Sequence, residues 1–481
     1  MPALVLLAPT LAAVVVALVP PGRLARAVSV AAALVVLGGG VVLGARCAGG
    51  RVEHALGGLV RVDALSALMI IVIGGVATLA TAAMGRTLEP GTDRVSRRRA
   101  RQYGALVQVF LAAMLGAVVA ANLGVVWVMV EATTIATTFL VGHRRTRPAL
   151  EASWKYVVLC SVGIALAFLG LVLLYFASAH TGAGPHAASL DWTGLRRLAP
   201  HLDPTVTRVA VGLVVIGFGT KVGLAPMQSW LPDAHSEAPG PVSALMSGVL
   251  LTVALYAILR VKVIADLALG AGFVRALLLA LGLLSLAVAA ALVVAQRDLK
   301  RLLAYSSIEH MGLLALAVAA GTPLAVAAAL LHVVGHGLTK SVLFLGAGEV
   351  HHAESTTTIA EIRALLRRQP GLGAVMAAGL VALAGFPPFS LFASELAMFR
   401  AEVDAGLGWA AGVALVVLVV VAGALARAAR AILLGPAMPV TRPVPMRALA
   451  PLVAALVACA ALGVVAWPLA TLLHGAAGVL G

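Results

Sequence analysis

Charge is what this sequence has least of. Only 11% of its 481 residues are charged, against about 25% in soluble domains, so a water-soluble globular fold is excluded. Cysteine is almost as scarce. Cys47, Cys160 and Cys459 are scattered without any C-x-x-C spacing, which excludes an iron–sulfur cluster or a structural zinc held by this chain alone. A redox enzyme served by this chain must run its electrons through another subunit. Lysine is scarcer than arginine: five of the thirty-four basic residues are lysine. No basic stretch precedes the first apolar run, which follows Met1-Pro2-Ala3 directly, so we take that run as a first membrane span and not as a signal peptide.

What fills the chain is hydrocarbon. It is 62% hydrophobic with mean hydropathy +1.06. Apolar runs of roughly 18–25 residues, each enough to cross a bilayer as helix, recur about fourteen times. The sequence therefore predicts an all-α polytopic membrane protein of about fourteen transmembrane helices. No intervening stretch is long enough for a folded soluble domain. The net charge of +15 invites a nucleic-acid reading, but the arginines cluster at span ends, as at Arg94, Arg97, Arg98, Arg99 and Arg101, then Arg144, Arg145 and Arg147. Alternate loops carry the excess, as the positive-inside rule expects, and with fourteen spans both termini face away from the cytoplasm.

Two spans are interrupted. The seventh, near 206–226, contains Gly217-Phe218-Gly219-Thr220-Lys221-Val222-Gly223-Leu224-Ala225-Pro226; the twelfth, near 371–398, contains Leu383-Ala384-Gly385-Phe386-Pro387-Pro388-Phe389. Proline removes a backbone donor and glycine relaxes helical preference, so both helices should open within the membrane. Such breaks are tolerated where protein or water satisfies the freed groups. They lie roughly 160 residues apart, which suits two inverted five-helix repeats with broken helices 7 and 12. We expect one transmembrane unit over 1–481, divided into N-terminal helices 1–3 (1–102), a first repeat of helices 4–8 (103–263), a second repeat of helices 9–13 (272–434) and a final helix 14 (448–481).

Ionisable groups inside the spans are functional candidates by default. Lys221 and Lys340 sit in strongly apolar segments, and a buried lysine, unlike arginine, can give up its proton. Glu131 lies near the middle of the fifth span and needs a partner or a proton, with Lys221 the natural partner; the alternative is a static structural ion pair. His332, His336 and Lys340 fall at i, i+4 and i+8 of the eleventh span, on one face and spaced by roughly 6 Å along the axis. Histidine can pass a proton from one ring nitrogen to the other. The alternatives are zinc ligation, for which this span offers no further carboxylate or thiol ligand at matching spacing, and a packed polar seam. Glu395 follows the second break, where water can reach it, so it can terminate a half-channel; otherwise it is a helix N-terminal carboxylate facing the dipole. Glu309 and His310, after Ser306 and Ser307 in the tenth span, are candidate links to the eleventh. Asp233, His235 and Glu237 occupy the loop after the first break, either capping helices or admitting protons.

The run Thr220-Lys221-Val222-Gly223-Leu224-Ala225-Pro226, followed by Trp230-Leu231-Pro232-Asp233-Ala234-His235-Ser236-Glu237-Ala238-Pro239 and Pro241-Val242-Ser243-Ala244-Leu245, resembles the proton-translocating antiporter-like subunits. These occur in respiratory complex I, Mrp cation/proton antiporters and group 4 [NiFe] hydrogenases. The resemblance spans about residues 60–435. Arg297-Asp298-Leu299-Lys300-Arg301-Leu302-Leu303-Ala304-Tyr305-Ser306-Ser307-Ile308-Glu309-His310-Met311-Gly312 is most similar to the F-type subunit of hydrogenase 4 and formate hydrogenlyase-like complexes. The resemblance implies that Glu131 and Lys221 form a pair gating proton entry, that His332, His336 and Lys340 form a relay, and that Glu395 is the exit residue. It also implies partners: other membrane subunits and a hydrophilic redox arm with Fe–S and, in hydrogenase-like complexes, NiFe subunits. Protons are the expected cargo, with Na⁺ the alternative. The expected location is the inner (cytoplasmic) membrane, multi-pass, with no cofactor, metal or nucleic acid bound by this chain.

The chain departs from the pattern in its eighth span, where Ser247 and Thr252 stand in place of a lysine or histidine, so a central link there needs hydroxyls and water. It ends at Gly481, without the long lateral helix of the largest complex I antiporter-like subunit. Rival functions are an Mrp-type Na⁺/H⁺ antiporter subunit, a membrane partner in proton-coupled inorganic-carbon uptake, and a degenerate scaffold.

Overall fold

The computed structural model describes residues 1–85, 88, 93–181, 189–435 and 443–480. Helices α1 (Pro2–Leu18) and α2 (Arg23–Cys47) lead into a two-stranded antiparallel hairpin, β1 (Glu53–Ala55) and β2 (Val60–Val62). Then follow α3 (Ala64–Ala83), α4 (Arg94–Val119), α5 (Leu123–Val141) and α6 (Arg147–Ala179). The short α7 (Trp192–Leu198) precedes α8 (Pro204–Val222), α9 (Trp230–Glu237), α10 (Gly240–Leu245) and α11 (Leu251–Leu269). The second half holds α12 (Gly272–Val293), α13 (Leu299–Ala320), α14 (Pro323–Glu354), α15 (Leu365–Arg368), α16 (Pro370–Leu383) and α17 (Ser390–Asp404). It closes with α18 (Gly408–Leu433), α19 (Met446–Val464) and α20 (Trp467–Leu480).

Among the described residues, twelve helices are long and apolar enough to cross a membrane, counting α10 and α11 as one, and α1 and α16 are shorter apolar helices. The chain is a multi-pass, all-α membrane protein. Short polar residues set many of the starts. Asp63 accepts from the Ser66 amide before α3, Asn122 from Gly124 and Val125 before α5, and Asp298 from Arg301 before α13. Each satisfies amides that the first helical turn leaves without partners.

Burial sorts the helices. The apolar windows of α10–α11 and α13 are wholly buried, whereas those of α12 and α18 bury only a third. Exposed Leu11, Phe139, Trp154, Val416 and Val419 form part of the outer surface, the apolar coat that lipid requires. The polar groups are instead inside, on α8, α13, α14 and α17.

Both expected breaks are present, and each has a local cause. Helix α8 stops where Gly223 adopts φ 83°, and the chain turns before α9 begins. Helix α16 stops just before Gly385 at φ +67°, and α17 starts at Ser390. One boundary differs from expectation. The span placed near 448–470 is α19 alone, since Val465 leaves the helical region and Pro468, which lacks an amide donor, suits the opening of a new helix, α20. The expected final segment 448–481 thus holds two helices, and its last residue, Gly481, lies outside the described residues.

A buried ion pair ties the hairpin end of the fold to its centre. Arg260 on α11 donates to the Asp63 carboxylate at 2.7 Å and to Ser66 Oγ at 3.0 Å. Both charged side chains are only 2% exposed. Burial by itself would raise the Asp63 carboxyl, but the Arg260 guanidinium overrides it and holds the group below the usual carboxylate range. That stabilisation is present above the ordinary carboxylate pKa near ~3.9 and is lost as pH falls from there towards the lower folded value. Asp63→Ala would strand a buried guanidinium, and we expect a loss of about 3–5 kcal/mol, read as a lower unfolding midpoint in detergent. An unchanged midpoint would show that the pair adds nothing to the fold.

Candidate functional site

The site is assembled from two lysine-centred modules. In the first, α6 and α8 pack so tightly that a Cβ on Gly217 would lie 2.5 Å from the Gly163 carbonyl oxygen. This brings Lys221, near the end of α8, against Tyr156 of α6. Lys221 is fully buried. Its Nζ donates to the Tyr156 hydroxyl at 2.5 Å and to Thr134 Oγ1 of α5 at 2.9 Å, and it lies 4.6 Å from the Tyr156 ring centroid. The expected direct contact between Glu131 and Lys221 is not made. Thr134, one turn beyond Glu131, stands between them and donates to Glu131 Oε2 at 3.1 Å. Ser161 of α6 donates to the other carboxylate oxygen at 3.2 Å. The tyrosine in turn meets Thr137 Oγ1 at 2.5 Å.

The second module is built on α13, α14 and α17. His332, His336 and Lys340 are all fully buried on α14. Their line is not the shortest route between them. His310 of α13 approaches closely, with its Nδ1 3.0 Å from His332 Nε2. His332 Nδ1 lies 2.9 Å from Ser394 Oγ on α17. The His310 and His336 rings are 5.0 Å apart, whereas His332 and His336 are 6.3 Å apart. His310 therefore stands between the two histidines of α14, hydrogen-bonded to His332 and in ring contact with His336, whose nitrogens have no hydrogen-bond partner among the described residues. Lys340 Nζ donates to the Leu303 carbonyl at 2.6 Å and to Ser306 Oγ at 2.5 Å, both on α13. The three imidazoles offer nitrogens that all lie within 4.8 Å of one another. A transition metal could use that donor set, but two of its nitrogens already face each other at hydrogen-bond distance.

Glu309 is buried beside this cluster, its Oε2 3.8 Å from His310 Nε2. Glu395, the sixth residue of α17, lies beyond the first helical turn, so the N-terminal dipole does not explain it. It is also 94% removed from the surface, being 6% exposed, which corrects the expectation that the break opens it to water. Its Oε2 occupies the space beside Gly385, 2.2 Å from where a Cβ would stand. The break is thereby closed over the acid.

A family model described as "NADH:quinone oxidoreductase/Mrp antiporter, TM" matches residues 120–422, more than half of the chain and both modules. The chain belongs to this family. A hydrogenase-4 component F homolog from Methylacidiphilum infernorum is 45% identical over 298 residues, covering 61% of this chain and 62% of that protein. Hydrogenase-4 component B of Escherichia coli is 31% identical over 352 residues, covering 70% of this chain and 49% of that one. The chain thus matches about half to three-fifths of the length of these relatives. The solved membrane-bound sulfane sulfur reductase, an archaeal respiratory membrane complex, contains a chain with TM-score 0.88 and 25% identity, covering 100% of this chain and 97% of its own.

In this antiporter-family chain the remaining candidates separate. Asp233, His235 and Glu237 lie on α9 and not in a loop, because Trp230 anchors a helical turn by donating to the Thr220 carbonyl at 2.9 Å. Asp233 is paired with Arg301 at 2.6 Å and Lys155 at 3.1 Å, an ion network partly open to solvent. His235 points inward, fully buried and stacked on Phe344 of α14 at 5.1 Å. Glu237 is half-buried and joins neither module.

At the departure in the eighth span, α10 and α11 are joined by a π-helical turn, Met246–Leu250. Such a turn inserts an extra residue and often marks a functional site. Here Ser247 Oγ meets Ser307 Oγ of α13 at 2.8 Å, a hydroxyl contact where the family pattern leads one to expect an ionisable group. Thr252 is satisfied by its own backbone, donating to Val249 at 2.8 Å.

Several groups escaped the sequence reading. Tyr156, Thr134 and Ser161 carried no signal apart from being polar in apolar spans. Lys300 is a third buried lysine, donating to the Ser236 and Ala238 carbonyls at 2.8 and 2.5 Å. Its neighbours Arg297, Asp298 and Arg301 disguise it as part of an interfacial charge run. Glu402 is buried on α17, seven residues after Glu395 and so on the same face; its heptad spacing was the available clue.

Proposed function

We propose that this chain is the proton-translocating membrane subunit of a redox-driven complex of the hydrogenase-4 or NADH:quinone oxidoreductase type, sited in the cytoplasmic membrane. Its partners would be other membrane subunits and a hydrophilic arm holding the electron-transfer centres. The observation that carries this reading is that Lys221 and Lys340 are both fully buried and, among the described residues, in no ion pair. Each is held by hydroxyl and carbonyl oxygens, which leaves its proton exchangeable in a way that a salt bridge would not. Arginine in either place could hold a charge but not release it.

Protons enter in this reading through Glu131, Thr134, Lys221 and Tyr156. In this reading the Ser247–Ser307 contact and His235 carry the proton on from the first module, Glu309 passes it beside Lys340, and His336, His310 and His332 lead from there to Ser394 and the neighbourhood of Glu395. The two modules correspond to two inverted five-helix repeats, 103–263 and 272–434, each with its broken helix. Each step is a transfer between a titratable group and a hydroxyl, imidazole or water within hydrogen-bond reach.

The deciding experiment is redox-driven proton uptake by vesicles holding the intact complex, comparing wild type with Lys340→Ala. A milder test addresses the first module. Tyr156→Phe removes one acceptor of Lys221 while preserving shape, and we expect proton flux to fall by about 10-fold. Unaltered flux would remove the tyrosine from the path. Sodium-dependent transport that persists without a redox partner would favour the Mrp-type antiporter instead.

A further inference from the structure

We propose that the outer face of α4, α5 and α6 binds one anionic phospholipid, with its phosphate held by an arginine-lined cavity and an acyl chain in the groove that continues from it. The cavity has a volume of about 1160 Å³ and is lined by Arg94, Arg97, Arg98, Arg99, Arg101 and Arg145, with Pro20 and Pro21 on its wall. Among the described residues no carboxylate lines it and none of these six arginines is in an ion pair. The neighbouring acid, Asp93, is engaged with the Ser96 amide as the α4 cap. Other basic groups of the chain are neutralised within it, as Arg301 is by Asp233 and Arg368 by Glu354. Helix-end arginines need only face the cytoplasm to orient a membrane protein. Six guanidinium groups sharing one cavity repel one another, and a bound anion relieves that repulsion. The planar guanidinium fork suits a phosphate in particular.

The second observation is the shape below the arginines. A cavity of about 880 Å³ shares Arg99, Gln102, Ala105 and Arg145 with the first, and continues between α4, α5 and α6. Its walls include Leu106, Val109, Phe139, Leu150, Trp154 and Val157. Phe139 is 62% and Trp154 69% exposed, so the groove opens outwards and is not filled by the protein. From Arg99 to Val109 it runs about 15 Å along α4 at 1.5 Å per residue. That is half of the ~30 Å hydrocarbon thickness, the depth of one leaflet. A free phosphate would use only the upper cavity, and a zwitterionic lipid only the groove together with a compensated headgroup. An anionic diacyl lipid uses both.

The test is photolabelling of the full chain in membranes with phosphatidylglycerol carrying a photoactivatable acyl chain, followed by peptide mapping. This readout is independent of proton transport. Labelling should map to α4–α6 and fall by about 100-fold in the triple variant R97Q/R98Q/R99Q, at roughly one factor of five per charge removed. Val109→Trp, a change at a lipid-facing position, should displace the label from the groove while leaving the cavity's charge intact. Substituting Arg427 and Arg430, which line a separate basic cavity, should change nothing. Equal labelling by the phosphatidylcholine analogue would overturn the proposal, as would full competition by inorganic phosphate. So would crosslinks that run from Trp154 to a neighbouring subunit, since a protein would then cover the groove.

Discussion

Vesicles carrying the complex with Lys340→Ala should lose redox-driven proton uptake by about 100-fold or more, with assembly intact. The size follows from position. Lys340 is fully buried at the junction of α13 and α14, and among the described residues its ammonium hydrogen-bonds the Leu303 carbonyl and Ser306 Oγ alone. Removing it does not orphan the serine, which itself donates to the Leu303 carbonyl at 2.9 Å. The fold therefore survives a loss that the proton path does not. Lys340→Arg sharpens the point, because it restores a fixed positive charge without an exchangeable proton. If arginine rescues pumping, the site works by electrostatics alone. If alanine pumps like wild type, the chain is a scaffold or its protons travel elsewhere.

His310→Asn should reduce flux by about 10- to 100-fold, as strongly as a change at His332. The reason is geometric. The two histidines of α14 are 6.3 Å apart between ring centroids, too far for a direct hydrogen bond, while His310 lies 3.0 Å from His332 and 5.0 Å, ring to ring, from His336. Asparagine keeps a polar group in the same space but cannot exchange a proton between two ring nitrogens. Normal flux in His310→Asn, with a dead His336→Asn, would put the route along α14 alone. Proton uptake measured at several pH values, in both variants, separates a lost relay from a lost fold. A misfolded complex fails at every pH, whereas a gap bridged by water leaves a residual flux.

How far the sequence spoke depends on whether a feature lives on one helix or between two. The all-α membrane architecture, both breaks and the shared face of His332, His336 and Lys340 are local properties of composition and spacing. Helical periodicity makes them visible. The bridging place of His310 is not local, because it depends on how α13 is rotated against α14. The same holds for Tyr156 and for Thr134, whose hydroxyls acquire meaning only when Gly163 and Gly217 let α6 approach α8. Lys300 was hidden for another reason. A lysine among arginines and an aspartate reads as an interfacial charge run, although the carbonyls left free near the end of α9 draw it inside. The expectation that Glu395 meets water failed because a proline-rich break suggests an opening, whereas the carboxylate itself fills the space that Gly385 leaves vacant. The division into inverted repeats rests on the breaks, and on nothing else legible in the residues.

Thr134 has one hydroxyl hydrogen, and that sets a rule for the first module. While Lys221 donates to its oxygen, the threonine's own hydrogen is directed at Glu131. Lysine and carboxylate are thus connected in series through a rotor with a single setting at a time. Should the lysine withdraw, the hydroxyl is released to turn, and its hydrogen is free to choose between the acid and the Val130 carbonyl 3.5 Å away. News of the lysine's position reaches the acid without the two ever touching.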